Sequence, residues 1–381
     1  MVRFLHTSDW QLGMTRHYLE GEAQARYTGA RIDAIRNIAA VAAAQSCQFV
    51  VVAGDVFDSN LVGAPTVRRA LEAMATVPCP VYLLPGNHDP LDAVTIYRSR
   101  VFETARPDNV VVLTEPGTVE VGEGVELVAA PWYSKAPRSD LVADAVAPLD
   151  PTDGVRIVVG HGAVDVLNPD DDDVASIRLA DLRCAIDDGR IHYVALGDKH
   201  TRLAIGADGR IGYSGSPEVT SFREDMPGDV LVVDVEPGRR PVVTPHHIGT
   251  WQFVSVRRQI ECGRDLDDLD EQLGALDPKD RTVVRTALEG TLSLSDKARL
   301  DALLDAYGDS FAGRLTWGRF DDIAVVVADD ELTDLGVGGF VGGAVQELAV
   351  KARAGTELDG DCAAARDALS LLYRLARGPA A

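Results

Sequence analysis

The chain has 381 residues, of which 46% are hydrophobic and 25% are charged, the balance of a folded globular protein. This composition excludes collagen-like, coiled-coil and wholly disordered chains, and the length predicts about two or three domains. With 37 basic and 59 acidic side chains, the formal net charge is −22. Because such a charge repels nucleic acids and anionic membranes at long range, any polyanionic substrate must be held by local basic groups or bound cations.

The five cysteines are odd in number, widely spaced and without a C-x-x-C pair. This usage argues against a disulfide framework and a zinc knuckle, and it favours a reducing compartment, so we expect a cytoplasmic protein. The first residues run directly into a strand-like segment, which predicts no signal peptide. No apolar run approaches the roughly 18 residues of a membrane span, so we expect no membrane association.

The first half of the chain repeats one pattern, in which a short β-rich apolar run stops at a cluster of Asp, Asn, His and Gly. Helical patterns lie between the early runs: Ile32, Ile35 and Ile38 recur at three-residue spacing, and Pro65 stands at the first turn of a second helix. Strands that alternate with helices predict an α/β fold with a largely parallel sheet covered on both faces.

The rest of the chain predicts three parts. Residues 211–248 read as further strands that close a second sheet layer and complete a first domain over 1–250. Strand and helix patterns then alternate over 251–330, which predicts a small α+β domain. A helical tail follows over 331–381, and its segment 363–376 carries an apolar face. That face predicts either packing on the same chain or binding of a partner.

The polar clusters at the strand ends carry the chemistry. In open α/β sheets, ligands gather outside the carboxyl ends of the strands. Grouping many polar donors there without cations would leave charges unpaired, so the pattern favours a shared metal site over a chance set of turns. The polar donors at this edge are Asp9, Gln11, Asp55, Asn87, His88, His161, Asp198 and His200.

These motifs resemble those of the calcineurin-like metallophosphoesterases and, within them, the SbcD-type DNA repair nucleases. The matching segments are Thr7-Ser8-Asp9-Trp10-Gln11-Leu12-Gly13, Gly54-Asp55-Val56-Phe57-Asp58, Gly86-Asn87-His88-Asp89, Gly160-His161, Gly197-Asp198-Lys199-His200 and Tyr213-Ser214-Gly215-Ser216-Pro217-Glu218. The resemblance implies a four-layer sandwich, followed by a small capping domain and a helical tail. It also implies two divalent ions: Asp55 bridges them, Asp9 and His200 bind one, and Asn87 and His161 bind the other.

The resemblance also assigns roles around the metals. His88 would be the catalytic residue, donating a proton or a hydrogen bond to the phosphate. Asp58 and Asp89 would either orient histidines or cap loops.

Two positions depart from the family pattern, because Gln11 stands in its D-x-H motif and Asp198 in its G-H-x-H motif. Each metal would lose an imidazole and gain an oxygen donor. Gln and Asp can both coordinate a metal, which favours an active enzyme over a degenerate site. A third carboxylate favours manganese, or magnesium, over zinc.

A DNA substrate would need local cations. Basic side chains in or near the loops that follow the donor-bearing strands are Arg16, His17, Arg98, Arg100, Lys135, Lys199 and Arg202. Because no element is suited to reading base edges, recognition would depend on backbone, ends and shape. We therefore predict a metal-dependent DNA nuclease that hydrolyses phosphodiesters by a two-metal mechanism.

The resemblance further implies partners. SbcD-like nucleases work as dimers with an SbcC-like coiled-coil ATPase, and this chain has no G-x-x-x-x-G-K motif of its own. We assign the ATPase contact to residues 335–377. Two alternatives remain: a phosphodiesterase or phosphatase that acts on a small molecule, and a non-catalytic scaffold that regulates the ATPase.

Overall fold

The computed structural model describes residues 1–167, 174–326, 339–354 and 360–377. Contacts divide the chain into two units, the first with residues 1–17 and 24–251 and the second with residues 18–23 and those from 252 onward. Parts of the predicted tail, residues 331–338, 355–359 and 378–381, lie outside the described residues. Among the described helices, none combines the length and apolar character needed to cross a membrane.

The first sheet of the first unit has six strands. They are β1 (Val2–Thr7), β2 (Val50–Val52), β3 (Val81–Leu83), β4 (Val110–Val112), β11 (Asp229–Val235) and β12 (Val242–His247). Their order is β12-β11-β1-β2-β3-β4. Strands β1 to β4 are parallel, whereas β11 and β12 add an antiparallel edge.

The second sheet of this unit also has six strands. They are β5 (Gly117–Gly122), β6 (Val125–Ala129), β7 (Val155–His161), β8 (Tyr193–Gly197), β9 (Leu203–Ile205) and β10 (Ile211–Tyr213). Their order is β5-β6-β7-β8-β10-β9. Strands β6, β7, β8 and β10 are parallel, and the antiparallel strands β5 and β9 form the edges.

Helices cover the outer faces of both sheets. They are α1 (Gly21–Ala44), α2 (Ala64–Met74), α3 (Arg100–Ala105), α4 (Leu141–Val146) and α5 (Leu179–Asp187), with short 3-10 turns at Ile96–Arg98 and Asp165–Leu167. Successive strand residues face opposite ways, so Val50 packs among the α1 and α2 side chains while Val51 packs between the sheets. Val158 likewise packs among the α4 and α5 side chains. These layers confirm the predicted four-layer α/β sandwich.

The second unit contains a parallel sheet and four helices among its described residues. The elements are β13 (Gln252–Gln259), α6 (Gly263–Gly274), a 3-10 turn (Lys279–Arg281), β14 (Thr282–Ser293), α7 (Leu294–Gly308), β15 (Gly313–Thr316), β16 (Asp322–Val326), α8 (Gly339–Ala354) and α9 (Gly360–Arg377). Strand β14 is central and pairs with the other three. Helices α6 and α7 pack on one face of this sheet through a leucine-rich core.

Helices α8 and α9 form a second core with α7. Ala298, Val345 and Leu369 are buried there. The predicted apolar face of the last helix is only partly used, since Leu371 and Leu375 are 51% and 69% exposed. The tail therefore packs on its own chain and also presents apolar side chains to solvent.

Candidate metal centre

The polar donors predicted at the strand ends come together at one edge of the sandwich. Asp9 and Asp55 follow β1 and β2, Asn87 lies in the loop after β3, His161 ends β7, and Asp198 follows β8. The donor atoms of Asp9, Asp55 and His161 all lie within 4.8 Å of one another. Because parallel strands end at the same edge, both sheets contribute side chains to one buried cluster.

Asp55 lies at the middle of this cluster and is 2% exposed. Its Oδ1 accepts a hydrogen bond from the His88 amide at 2.9 Å and lies 3.5 Å from His161 Nε2. Its Oδ2 accepts from Gln11 Nε2 at 2.8 Å. Ligand atoms about 2.0 to 2.2 Å from one ion stand about 3 Å apart when they are at right angles. The spacing around Asp55 therefore suits shared coordination.

His161 is fixed in an orientation that suits a ligand. Its Nδ1 donates to the Ala53 carbonyl at 2.8 Å, and its Nε2 lies 2.8 Å from Asn87 Oδ1. Burial lowers the pKa of His161, but the carboxylates of Asp55, Asp9 and Asp198 outweigh burial and raise the pKa to about 9. The protonated His161 ring thus places positive charge beside Asn87 Oδ1 and the carboxylates. A metal ion would supply positive charge at the same place.

Asp9 and His200 form the second side of the cluster. Asp9 is fully buried and accepts hydrogen bonds from Ser8 Oγ at 2.6 Å and from the Asp198 amide at 3.1 Å. His200 Nε2 lies 3.8 Å from Asp9 Oδ1. The opposite nitrogen of His200, Nδ1, lies 2.6 Å from Thr220 Oγ1 and 3.2 Å from Glu224 Oε1. A carboxylate behind the imidazole is the usual way in which a protein orients a metal-binding histidine.

Gln11 provides a test of whether the cluster fits a cation. The side chain is fully buried, and its Oε1 has no hydrogen-bond partner. A buried acceptor left unsatisfied costs about 1 to 3 kcal/mol. A divalent ion with oxygen ligands would satisfy this atom, so the residues present fit a metal.

The backbone at these positions is strained. Asp9, Gln11 and Asp55 have φ values of 53°, 49° and 55°, and Asp198 has a φ of 98°. Non-glycine residues rarely adopt this left-handed region, and such strain is typical of functional sites. Gly54 is also required here, because a Cβ at this position would overlap the His161 ring.

The predicted catalytic histidine lies beside the cluster. The His88 side chain is 43% exposed, and its Nε2 lies 3.9 Å from Asp55 Oδ2. Its Nδ1 donates to the backbone carbonyl of Asp58 at 2.9 Å. The peptide group of Asp58 therefore orients His88, whereas the prediction considered the carboxylate.

Asp89 makes contacts of the loop-capping kind. Its Oδ1 accepts from the Gly86 amide at 2.8 Å, and its Oδ2 accepts from the Phe57 amide at 3.0 Å and from Tyr97 Oη at 2.7 Å. Burial and the nearby Asp55 raise the pKa of Asp89 to about 6. Asp89 thus ties the loop after β2 to the loop after β3.

The candidate DNA-binding cations differ in their surroundings. Arg16 donates to the Thr220 carbonyl, Lys199 lies 3.4 Å from the Asp198 carboxylate, and Arg202 pairs with Asp229 at 2.8 Å. These three side chains have partners within the chain. The side chains that are exposed are His17, Arg98, Arg100 and Lys135.

Sequence reasoning missed the groups that orient the ligands. Thr220 and Glu224 lie 20 and 24 residues after His200 in a loop without periodic pattern. The Ala53 carbonyl is a backbone group that any residue would supply. The only available signal was the neighbouring Tyr213 to Glu218 segment, which did not extend to these positions.

Comparison with known proteins agrees with this geometry. The sequence pattern of the family described as calcineurin-like phosphoesterase matches residues 2–233. The chain belongs to this family, which confirms the class of protein predicted from the strand-end motifs. Within the family, the SbcD-type resemblance is supported by the SbcD subunit of the nuclease SbcCD from Bacillus subtilis (strain 168). That protein is 26% identical over 288 residues, which cover 66% of this chain and 69% of the relative.

Two solved structures are also similar. The purple acid phosphatase PPD1 from yellow lupin (Lupinus luteus) seeds is 10% identical with a TM-score of 0.37, covering 61% of this chain and 49% of its own. GAP50, the anchor in the inner membrane complex of Plasmodium, is 14% identical with a TM-score of 0.39, covering 65% of this chain and 88% of its own.

Proposed function

We propose that this phosphoesterase is a metal-dependent DNA nuclease of the SbcD type. The observation that carries the proposal is the buried Asp55 carboxylate, within hydrogen-bond or ion-pair distance of Gln11 and His161 side chains that come from different sheets. The name of the Bacillus relative, a nuclease subunit, supports a nucleic acid as the substrate.

The ligands divide into two sets around Asp55. Asp9, Asp55 and His200, with an oxygen from Gln11, would hold one ion, and Asp55, Asn87 and His161, with an oxygen from Asp198, would hold the other. Two divalent cations lower the pKa of a bound water and clamp the phosphate oxygens during in-line displacement.

His88 would contact the scissile phosphate. The Asp58 carbonyl holds its Nδ1 as a hydrogen-bond donor, so Nε2 can donate to the leaving oxygen only when the ring is an imidazolium. The 43% exposure of the side chain leaves Nε2 accessible to a substrate. We therefore assign His88 the general-acid role.

The donor set favours manganese or magnesium. Only His161 and His200 offer nitrogen ligands, and the other candidate ligands offer oxygen, including Gln11 Oε1, which has no hydrogen-bond partner. Hard, oxygen-preferring ions suit such a set better than zinc does.

The exposed basic side chains His17, Arg98, Arg100 and Lys135 would track DNA phosphates. Each phosphate contact contributes about 0.9 to the slope of log affinity against log salt concentration. Affinity for DNA should therefore fall steeply with salt, in spite of the chain's net charge of −22.

We also propose that the protein works as a homodimer with an SbcC-like ATPase. The described part of the tail offers the contact, because Phe340, Val350 and Leu375 are 92%, 66% and 69% exposed. Replacing Phe340 and Leu375 by serine should abolish co-purification with the ATPase. Because neither side chain is buried, metal-dependent phosphodiesterase activity should persist.

A nuclease assay tests the proposal. Single- and double-stranded DNA ends are incubated with manganese, magnesium or zinc, using Asp55→Asn as the blank and the exposed Asp33→Asn as the matched control. We expect hydrolysis that requires the metal, is lost in Asp55→Asn, falls in His88→Asn and is unchanged in Asp33→Asn. Hydrolysis that persists in Asp55→Asn, or its absence in the wild type with every metal, would contradict the proposal.

A further inference from the structure

A buried arginine of helix α1 lies next to the metal centre. Arg31 is 2% exposed, and it donates from Nη1 to the Trp10 carbonyl and from Nη2 to the Val219 carbonyl, both at 2.9 Å. Its Nη2 also donates to Tyr27 Oη at 2.6 Å, whereas its buried Nε has no hydrogen-bond partner. All of these hydrogen bonds go to uncharged acceptors.

The packing of α1 does not account for an arginine at this position. Removing a charge from water costs several kcal/mol, and apolar replacements of buried charged groups are often neutral or stabilising. Two carbonyls and a hydroxyl accept the hydrogen bonds of Arg31 and offset part of this cost. An apolar side chain would fill the same space without the cost, so the reason for Arg31 lies in the groups that it contacts.

The first contact of Arg31 fixes the peptide group between Trp10 and Gln11. The carbonyl of this peptide accepts from Arg31, and its N–H donates to the Asp55 carbonyl at 3.0 Å. Asp9 and Gln11, on either side of Trp10, have φ values of 53° and 49°. Because such strained conformations persist only when their surroundings hold them, Arg31 helps to fix the direction in which Gln11 leaves the backbone.

The second contact fixes the peptide group between Val219 and Thr220. Its carbonyl accepts from Arg31, and its N–H donates to Glu224 Oε2 at 2.8 Å. Thr220 Oγ1 and Glu224 Oε1 are the groups that lie behind His200, at 2.6 and 3.2 Å from Nδ1. Arg31 therefore contacts the loop that orients this histidine.

We infer that Arg31 is a positioning residue of the metal centre, whose guanidinium spans the Trp10 and Val219 carbonyls. By fixing both peptide planes, it sets the position of Gln11 relative to the groups that orient His200. Both segments lie outside helices and strands, and a planar guanidinium with donors in fixed directions suits the task of joining them. The inference rests on the metal centre of the proposed function, but it does not require DNA as the substrate.

Calorimetric titration of the full chain with manganese tests the inference on Arg31→Met, which keeps an unbranched side chain without donors. The matched control is Arg156→Met. Arg156 is 9% exposed and donates to the Asp150 and Arg190 carbonyls at 2.8 Å and to Glu126 at 2.7 Å. It lies near the start of β7, whereas the cluster lies at the end of that strand. Urea unfolding in EDTA measures the structural cost of each change.

We expect Arg31→Met to weaken manganese binding about 10- to 100-fold, the usual effect of losing a group that orients metal ligands. Arg156→Met should bind manganese as the wild type does, whatever its cost in urea unfolding. Equal affinity in Arg31→Met and the wild type, or equal losses in the two variants, would overturn the inference.

A second variant covers the case in which Arg31→Met does not fold. Arg31→Lys keeps the positive charge but not the planar fork, so it should also weaken manganese binding, by about tenfold or more. Wild-type affinity in Arg31→Lys would overturn the inference, because the charge alone would then be sufficient.

Hydrolysis of DNA by the wild type is followed in parallel and separates the two proposals. If the wild type binds manganese without hydrolysing DNA, the proposed function fails, and a weaker affinity in Arg31→Met still supports the inference. If the wild type hydrolyses DNA and Arg31→Met binds manganese equally well, the inference fails alone.

Discussion

Replacing Gln11 by methionine separates a metal ligand from a structural amide. In the metal-free protein, Gln11 Nε2 donates to Asp55 at 2.8 Å, and Oε1 has no partner. A hydrogen bond to a charged group contributes about 1.5 to 3 kcal/mol, and an unsatisfied buried acceptor costs about 1 to 3 kcal/mol. Because methionine removes both effects and has a similar length, the free energy of unfolding in EDTA should change by less than about 2 kcal/mol.

The effect of the same change should be larger when manganese is bound. Disturbing the groups that support a metal typically lowers affinity about 10- to 100-fold, and losing a ligand should cost at least as much. At saturating metal this loss reduces the stabilisation by manganese by about 1.4 to 2.7 kcal/mol. A purely structural amide would behave differently, because its loss would lower the free energy of unfolding equally with and without metal.

Urea unfolding in EDTA and in excess manganese measures both quantities. Gln24→Met is the matched control, because Gln24 is a partly buried glutamine that bonds the Arg16 amide and Thr28 Oγ1, away from the cluster. The increment in stability due to manganese should be unchanged in this control. An undiminished increment in Gln11→Met would refute the assignment of Oε1 as a ligand.

Three further predictions concern the support of the site. Glu224→Gln should lower manganese affinity about 10- to 100-fold, measured as the manganese concentration at half-maximal hydrolysis, because this carboxylate orients His200. Glu218→Gln should destabilise the fold by about 1 to 3 kcal/mol in urea unfolding. The new amide nitrogen would face the backbone N–H of Trp251, which now donates to the Glu218 carboxylate at 3.0 Å. Burial lowers the pKa of His161, but the neighbouring carboxylates outweigh this effect and raise the pKa from 6.5 to about 9 in the metal-free protein. Stability due to this proton is present below the unfolded-state pKa and is lost as the pH rises to about 9, while manganese affinity, measured by calorimetric titration, rises over the same range.

The sequence predicted the layers of the fold and the edge that carries the site. Five of the parallel strands, β1, β2, β3, β7 and β8, end at or just before an Asp, Asn or His, so periodicity and polarity located the donors together. The sheet to which the later strands belong was predicted correctly for β10 and wrongly for β11 and β12. Residues 211–248 were expected to close the second sheet, but β11 pairs with β1 in the first. A strand buried on both faces shows the same apolar run in either sheet, so pattern alone does not decide.

The supporting contacts were predictable only in part, because they depend on backbone groups. Asp89 accepts from two amides and a tyrosine, and His88 is oriented by a carbonyl. Any residue type supplies such groups, so the sequence does not show which carboxylate meets which donor. Thr220 shows a different limit, because its side-chain hydroxyl contacts His200 across 20 residues of irregular chain.

Asp198 combines a strained backbone conformation with a carboxylate that is a candidate metal ligand. Its amide donates to Asp9 at 3.1 Å, its carboxylate lies 3.4 Å from Lys199, and its φ of 98° disfavours any side chain. In EDTA, Asp198→Gly should therefore be more stable than Asp198→Asn by about 1 kcal/mol or more, because both variants keep the amide and only glycine relieves the strain.

Manganese affinity should follow the opposite order in these two variants. Asparagine keeps a side-chain oxygen and glycine does not, so a ligating residue predicts affinity at least about tenfold weaker in Asp198→Gly, measured by calorimetric titration. If both variants bind manganese equally, Asp198 acts only through its amide. The metal site then holds two carboxylates rather than three, and the expected preference for manganese or magnesium over zinc rests on Gln11 alone.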